Sequence, residues 1–306
     1  MDAPFGAVLV LVFWLGGLAP ALAAAQPGAA DRVWRRDQLG REMLVPRRPQ
    51  RVVTLAASLT EIVFAIGAGA RVVGVESFSN YPPEVAALPK VGSYIHPEVE
   101  RIVALRPDLC LAIKDGNPRH VADRLEALGI PVYAVDPRCL PAIIETTKEI
   151  GELLDAAAAA MALAQDLERR YQRVAQLSRQ VTYRPRVFLQ IGTSPIVSAG
   201  SNTFLNELLD LAGGRNLAAG KVPYPRFAVE QVLALRPEVI IITTMTRGEV
   251  FERVKAGWLR WTTLPAVQQQ RIYLVDSDLV DRPSPRIFAG LELIFRLLHP
   301  DLAAAL

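Results

Sequence analysis

The chain has 306 residues, 51% of them hydrophobic and 21% charged, with a net charge of +3. That length allows two domains with their own cores, and that composition excludes a disordered or highly charged nucleic-acid-binding chain. Seven arginines lie between Arg32 and Arg51, interleaved with Asp37 and Glu42. No nucleic-acid signature accompanies them, so they read as a solvated basic surface.

Phe5–Ala19 is apolar or small, and Ala21-Leu22-Ala23 has the small-x-small form of a cleavage site. The pattern predicts a cleaved secretory signal over residues 1–25, although Asp2 stands where a basic residue is usual. A membrane anchor is the alternative, for which the apolar run is short. An extension over residues 26–50 follows, with a hairpin at Asp37–Val45 turning near Gly40.

From residue 51, short β-branched runs alternate with amphipathic segments. Strands are expected at Val52–Leu55, Val72–Val75, Leu109–Ile113 and Val132–Val135. Helices are expected at Thr60–Ile66, Pro97–Leu105 and Arg119–Leu128, with another opened by Pro141. Strands apolar throughout, alternating with helices, predict parallel α/β sheets covered on both faces. This first lobe spans residues 51–154. Asp155 is placed as the cap of a long Ala-rich helix, roughly Ala156–Gln180, inside a connector at residues 155–183. At 1.5 Å per residue it reaches about 37 Å, enough to join two lobes and limit their opening.

A second lobe, residues 184–306, repeats the plan. Val99–Ile113 reads VERIVALRPDLCLAI, and Val229–Thr243, 130 residues later, reads VEQVLALRPEVIIIT. Arg51–Leu55 matches Arg186–Gln190, and Val132–Asp136 matches Ile272–Asp276. A duplicated lobe follows, and a cleft between lobes is a favoured ligand site.

The catalytic inventory is thin. Gly67-Ala68-Gly69 follows a helix and precedes a strand, the reverse of a dinucleotide fingerprint. His96, His120 and His299 have no metal spacing. Cys110 and Cys139 are expected as free thiols, since Cys110 lies early in a strand and Cys139 lies past the end of the next one. Binding is therefore favoured over catalysis, with no protein cofactor or metal.

The loops at the carboxyl ends of the strands carry aromatics, prolines and charges. They include Glu76–Pro83, Gly92–His96, Ile191–Pro195, Val222–Pro225 and Asp276–Arg286. Asp278 and Arg282 can bond a ligand or each other. Glu100 and Glu230 hold the same place in the two repeats, each in the first turn of a helix. There they serve the helix dipole or form a symmetric pair for a two-fold partner.

Arg51 to the C-terminus resembles the periplasmic solute-binding proteins of ABC importers that carry cobalamin, within the class that also binds iron–siderophores and haem. The resemblance is strongest at Tyr81-Pro82-Pro83, Glu100–Pro107, Gly116-Asn117, Arg186–Gln190 with Gly192, Val222–Pro225, Glu230–Ala234, and Ser277-Asp278 with Arg282 and Ser284–Ile287. It implies two Rossmann-like α/β lobes joined by one backbone helix. It further implies a monomer that delivers a corrinoid to an inner-membrane permease dimer with its ATPase. By position it places ligand contacts on Phe78, Tyr94 and Tyr224 and on the segment Asp278, Leu279, Val280, Asp281 and Arg282, and permease docking on Glu100 and Glu230. Phe78 stands for a tyrosine there, and Tyr94, Tyr224 and Ile113 for tryptophans. Haem, ligated through Tyr94 or His96, is the competing cargo. A chelatase-like enzyme and a ligand-free adaptor are the readings from other classes.

Overall fold

The computed structural model describes residues 31–243 and 249–306; the expected signal sequence lies outside them. The described residues open with a hairpin, β1 (Arg32–Arg36) antiparallel to β2 (Glu42–Pro46), turning through Gly40. The first lobe follows: β3 (Val52–Thr54), α1 (Ala57–Ala65), β4 (Val72–Val75), a two-strand ladder of β5 (Gly92–Ser93) and β6 (His96–Pro97), α2 (Val99–Ala104), β7 (Leu109–Ile113), α3 (Arg119–Ala127) and β8 (Val132–Val135). Then come α4 (Leu140–Leu153) and the long α5 (Ala157–Ser178).

The second lobe holds β9 (Arg186–Gln190), β10 (Gly192–Thr193), β11 (Ile196–Val197), α6 (Phe204–Leu211), β12 (Arg215–Asn216), β13 (Arg226–Phe227), α7 (Val229–Leu235) and β14 (Val239–Ile242). It closes with α8 (Glu249–Leu259), α9 (Pro265–Gln268), β15 (Ile272–Leu274), α10 (Ser277–Val280) and α11 (Ile287–Leu298).

Both main sheets are parallel and four-stranded, ordered β4-β3-β7-β8 and β12-β9-β14-β15. The reason lies in the strand residues. Successive side chains point to opposite faces, and helices cover both faces, so every position must be apolar. In β7, Leu109, Leu111 and Ile113 enter one core while Cys110 and Ala112 enter another. In β14, Val239 and Ile241 face one core and Ile240 and Ile242 the other. Cys110 and Cys139 are both free.

The repeated Leu-Arg-Pro is one backbone joint built twice. Arg106 and Arg236 both take the left-handed conformation, φ 46° each, ending α2 and α7 before proline turns the chain into a strand. The following acid then seats the neighbouring strand. Asp108 accepts from the Gln50 and Arg51 amides, and Glu238 from the Arg186 amide and the Tyr183 hydroxyl.

The connection between lobes is a pair of helices. Leu140, Ile143 and Ile144 of α4 enter the second-lobe core, whereas Ile150 and Leu153 enter the first. Along α5, Ala160 lies in the first-lobe core and Ala164, Leu167, Val174 and Leu177 in the second. A Cβ on Gly151 would meet the Ala160 methyl at 2.2 Å, so only glycine lets these helices approach so closely. The expected cap is corrected. Asp155 has φ 52° and pairs with Arg48 at 3.1 Å, and the residue preceding α5 is Ala156, whose side chain caps nothing. A left-handed Asp155 lets the chain reverse between two helices, which an N-cap conformation would not allow.

Candidate functional site

A cavity of about 780 Å³ opens between the lobes, within the size range of small-molecule sites. Residues from both lobes line it. Phe78, Tyr94, Ile95 and Ile113 form the first-lobe wall, and Ile191, Val197, Phe204, Leu205 and Tyr224 the second. Phe78 is 48% exposed and Tyr224 38%, so both rings present apolar surface to the cavity.

The first wall is held by Asn117. Its amide donates to the Leu55 and Tyr94 carbonyls, and its side-chain oxygen accepts from the Ile113 amide. The Tyr94 ring packs over Gly116, whose φ is +125°; a Cβ there would sit 2.5 Å from the ring. Phe78 meets Tyr94 edge to face, centroids 6.5 Å apart.

Polar contacts cross the cleft at two rims. At one rim the Tyr224 hydroxyl donates to Asp115 at 3.3 Å, and Arg138 holds the same oxygen at 2.8 Å. Burial, with Asp115 nearby, pushes the Tyr224 phenol well above its ordinary pKa, so it remains a donor.

The other rim is more extensive. Arg282, just beyond α10, donates to Glu61 and Asn80 at 2.8 Å each and to the Phe78 carbonyl at 3.0 Å. It also pairs with Asp278 at 2.6 Å, and Asn80 donates to Asp278 at 2.7 Å. Beneath them Glu61 accepts from the Ser284 hydroxyl at 2.6 Å and from Arg286 at 3.3 Å. The Arg286 guanidinium lies 4.1 Å above the Tyr81 ring.

Carboxyl groups outnumber cations in the lining. Glu76, Asp115, Asp278 and Asp281 face the cavity with Arg282. Burial raises the Glu76 pKa against the opposing hydrogen bonds from the Phe78 amide and Ser79 hydroxyl. Burial raises that of Asp281 further, although Thr243 donates to it at 2.8 Å.

Of the residues named from sequence, Phe78, Tyr94, Tyr224, Asp278, Asp281 and Arg282 line this cavity together. Leu279 and Val280 do not. The segment winds into the short helix α10, which turns Val280 into the second-lobe core with Leu279 packed beside it. His96 is exposed on β6 and stands outside the lining. Glu100 and Glu230 are exposed in the first turns of α2 and α7, and Glu100 pairs with Arg124 at 3.0 Å. Sequence reading missed Asp115 and Glu61. Glu61 had a signal: it is the lone charged residue between Arg51 and Arg71, in the middle of an apolar helix.

Two α/β lobes around an apolar, acid-flecked cleft define a solute-binding architecture. Residues 52–279 match the family described as periplasmic binding protein, and the chain belongs to that family. It is 34% identical over 245 residues to vitamin B12-binding proteins of Yersinia pestis and Yersinia pseudotuberculosis, covering 79% of this chain and 84% of theirs. In structure it is similar to the periplasmic vitamin B12 binding protein BtuF of Vibrio cholerae. The TM-score is 0.75 and the identity 29%, covering 85% of this chain and 99% of that one. It is also similar to a periplasmic heme binding protein from Pseudomonas aeruginosa, with TM-score 0.75 and 29% identity, covering 82% and 93%.

Proposed function

We propose that the protein captures cobalamin or a related corrinoid in the interlobe cavity and delivers it to an ABC-type permease, without catalytic turnover. The observation that carries this reading is the chemistry of the lining. Its aromatic and aliphatic walls suit the faces of a large ring, and its carboxylates suit a periphery rich in amide donors. The B12-binding relatives point the same way.

Haem fits less well. Its propionates would enter a lining with four carboxyl groups and one guanidinium, and that guanidinium is already engaged. Iron ligation by Tyr94 calls for a phenolate, yet burial and the Glu76 charge raise the Tyr94 pKa. His96 stands outside the cavity. Calorimetric titration with cyanocobalamin, with haemin in parallel, tests the assignment. One-to-one binding of cyanocobalamin alone is expected; binding of haemin alone would overturn it.

In this reading Phe78, Tyr94, Tyr224, Asp278, Asp281 and Arg282 contact the ligand, while Glu100 and Glu230 dock on the permease. The protein is a periplasmic monomer exported by a signal over residues 1–25. Exchanging both acids, Glu100→Arg with Glu230→Arg, should abolish corrinoid uptake in cells and leave the calorimetric affinity unchanged. An equal loss of both would assign the acids to the fold or the pocket.

A further inference from the structure

Arg282 is the one cation among the described residues that line the cavity, and its terminal nitrogens have four hydrogens to give. Four oxygens surround them. Nη1 donates to Glu61 Oε1 and Asn80 Oδ1, Nη2 donates to the Phe78 carbonyl, and Asp278 Oδ1 forms an ion pair with Nη2 at 2.6 Å. An arginine that clamps a ligand carboxylate presents a free two-pronged edge; here that edge is turned inward.

Glu61 lies beneath this arrangement, 3% exposed and outside the cavity lining. Both its oxygens are held from the opposite lobe, Oε2 by Ser284 and Oε1 by Arg282 and Arg286. The carboxylate is thus fixed independently of any ligand, and it anchors Nη1 from the protein side.

We infer that Glu61 is a specificity-determining positioning residue: by holding Arg282 from below, it denies that guanidinium to ligand carboxylates, so the cleft turns away anionic tetrapyrroles and admits neutral, amide-rimmed ones. The inference rests on the cleft being the ligand site proposed above. It assigns selectivity to a side chain that touches no ligand.

The test is Glu61→Gln in the purified protein, near-isosteric and still able to bond Ser284. Three probes are titrated: cyanocobalamin, mesoporphyrin IX, and mesoporphyrin IX dimethyl ester. Mesoporphyrin carries two carboxylates and no metal, which removes iron ligation from the comparison, and the ester removes the charge. Glu61→Gln should gain on the order of tenfold in affinity for the free acid and nothing for the ester. Adding Arg282→Gln should cancel the gain. Equal changes for acid and ester, or none for either, would overturn the inference, because a purely structural Glu61 cannot read the charge. If Glu61→Gln lacks the wild-type circular dichroism and melting transition, Asp278→Asn frees the same guanidinium from the cavity side and must shift the acid-to-ester ratio in the same direction. A wild-type protein that ignores cyanocobalamin would sink the proposed function, while the acid–ester contrast would still decide the role of Glu61.

Discussion

The two lobes share a skeleton and differ where they meet the cavity. Their sheets have the same strand order, and their helix-to-strand joints share their main hydrogen bonds. Arg51 donates to the Leu105 carbonyl as Arg186 donates to that of Leu235, and the Asp108 amide donates to Arg51 as the Glu238 amide does to Arg186. One difference is small: Arg51 Nε bonds the Arg106 carbonyl, while Arg186 Nε is buried without a partner. At the cavity the copies diverge. The first lobe supplies an aromatic wall locked by Asn117, and the second supplies the charged turn Asp278–Arg282. Duplication preserved what folds a lobe and left the loops at the carboxyl ends of the strands free to specialise.

The largest expected effect falls where the copies stop being alike. Glu61→Ala removes one partner of a buried ion pair and strands Arg282 and Arg286, at a cost of about 3–5 kcal/mol in urea denaturation. Asn117→Ala leaves two carbonyls and an amide of the first wall unanswered. It should cost about 2–3 kcal/mol and weaken corrinoid binding, since Tyr94 loses its support. A loss of stability with unchanged affinity would show that Tyr94 is not a contact.

The shared joint should respond alike in both lobes. Asp108→Asn and Glu238→Gln should each cost about 1 kcal/mol, and a markedly unequal pair would break the equivalence. Burial opposes ionisation of Glu238, but hydrogen bonds from Tyr183 and the Arg186 amide, with the Arg186 and Arg271 charges, outweigh it and lower its pKa. Its contribution is therefore present above about pH 4.5 and lost as pH falls through the lowered native value. Glu238→Gln should flatten the acid limb of a stability–pH profile.

Asp281 has the opposite sign. Its native pKa is raised, so its relative stabilisation is present below the ordinary aspartate value and lost as pH rises. Asp281→Asn should raise the melting temperature at pH 7 more than at pH 4. No difference between the two pH values would place that carboxyl in ordinary solvent.

Much of this was legible in the sequence. Continuous β-branched runs announced doubly covered strands, and Leu-Arg-Pro with its following acid announced the duplication. Loops carrying Phe78, Tyr94, Tyr224 and Asp278 announced the cavity, because chain order alone puts them at strand ends. What was hidden depended on three-dimensional partners. Glu61 reads as a stray acid in Ala57–Ala65 until Ser284 and Arg282, more than 200 residues away, are brought beside it. Leu279 and Val280 read as contacts because the resemblance assigns the whole segment Asp278–Arg282, and so short a segment carries too little periodicity to reveal the helical turn that buries them. Asp155 read as a cap because its residue type suits one; the reversal between α4 and α5 required a left-handed residue there instead.

The helix pair α4–α5 has a consequence for how the cargo leaves. Its side chains enter both lobe cores, Gly151 seats one helix directly on the other, and a two-pronged Arg170–Glu292 bridge fastens α5 to α11. A spine fixed at both ends gives the lobes no easy swing, and in the proposed reading this predicts slow spontaneous escape of the ligand, with the rims governing its release. If the permease docks as proposed, unloading becomes mechanical work done from outside, with the exposed ends of α2 and α7, which carry Glu100 and Glu230, as its lever arms.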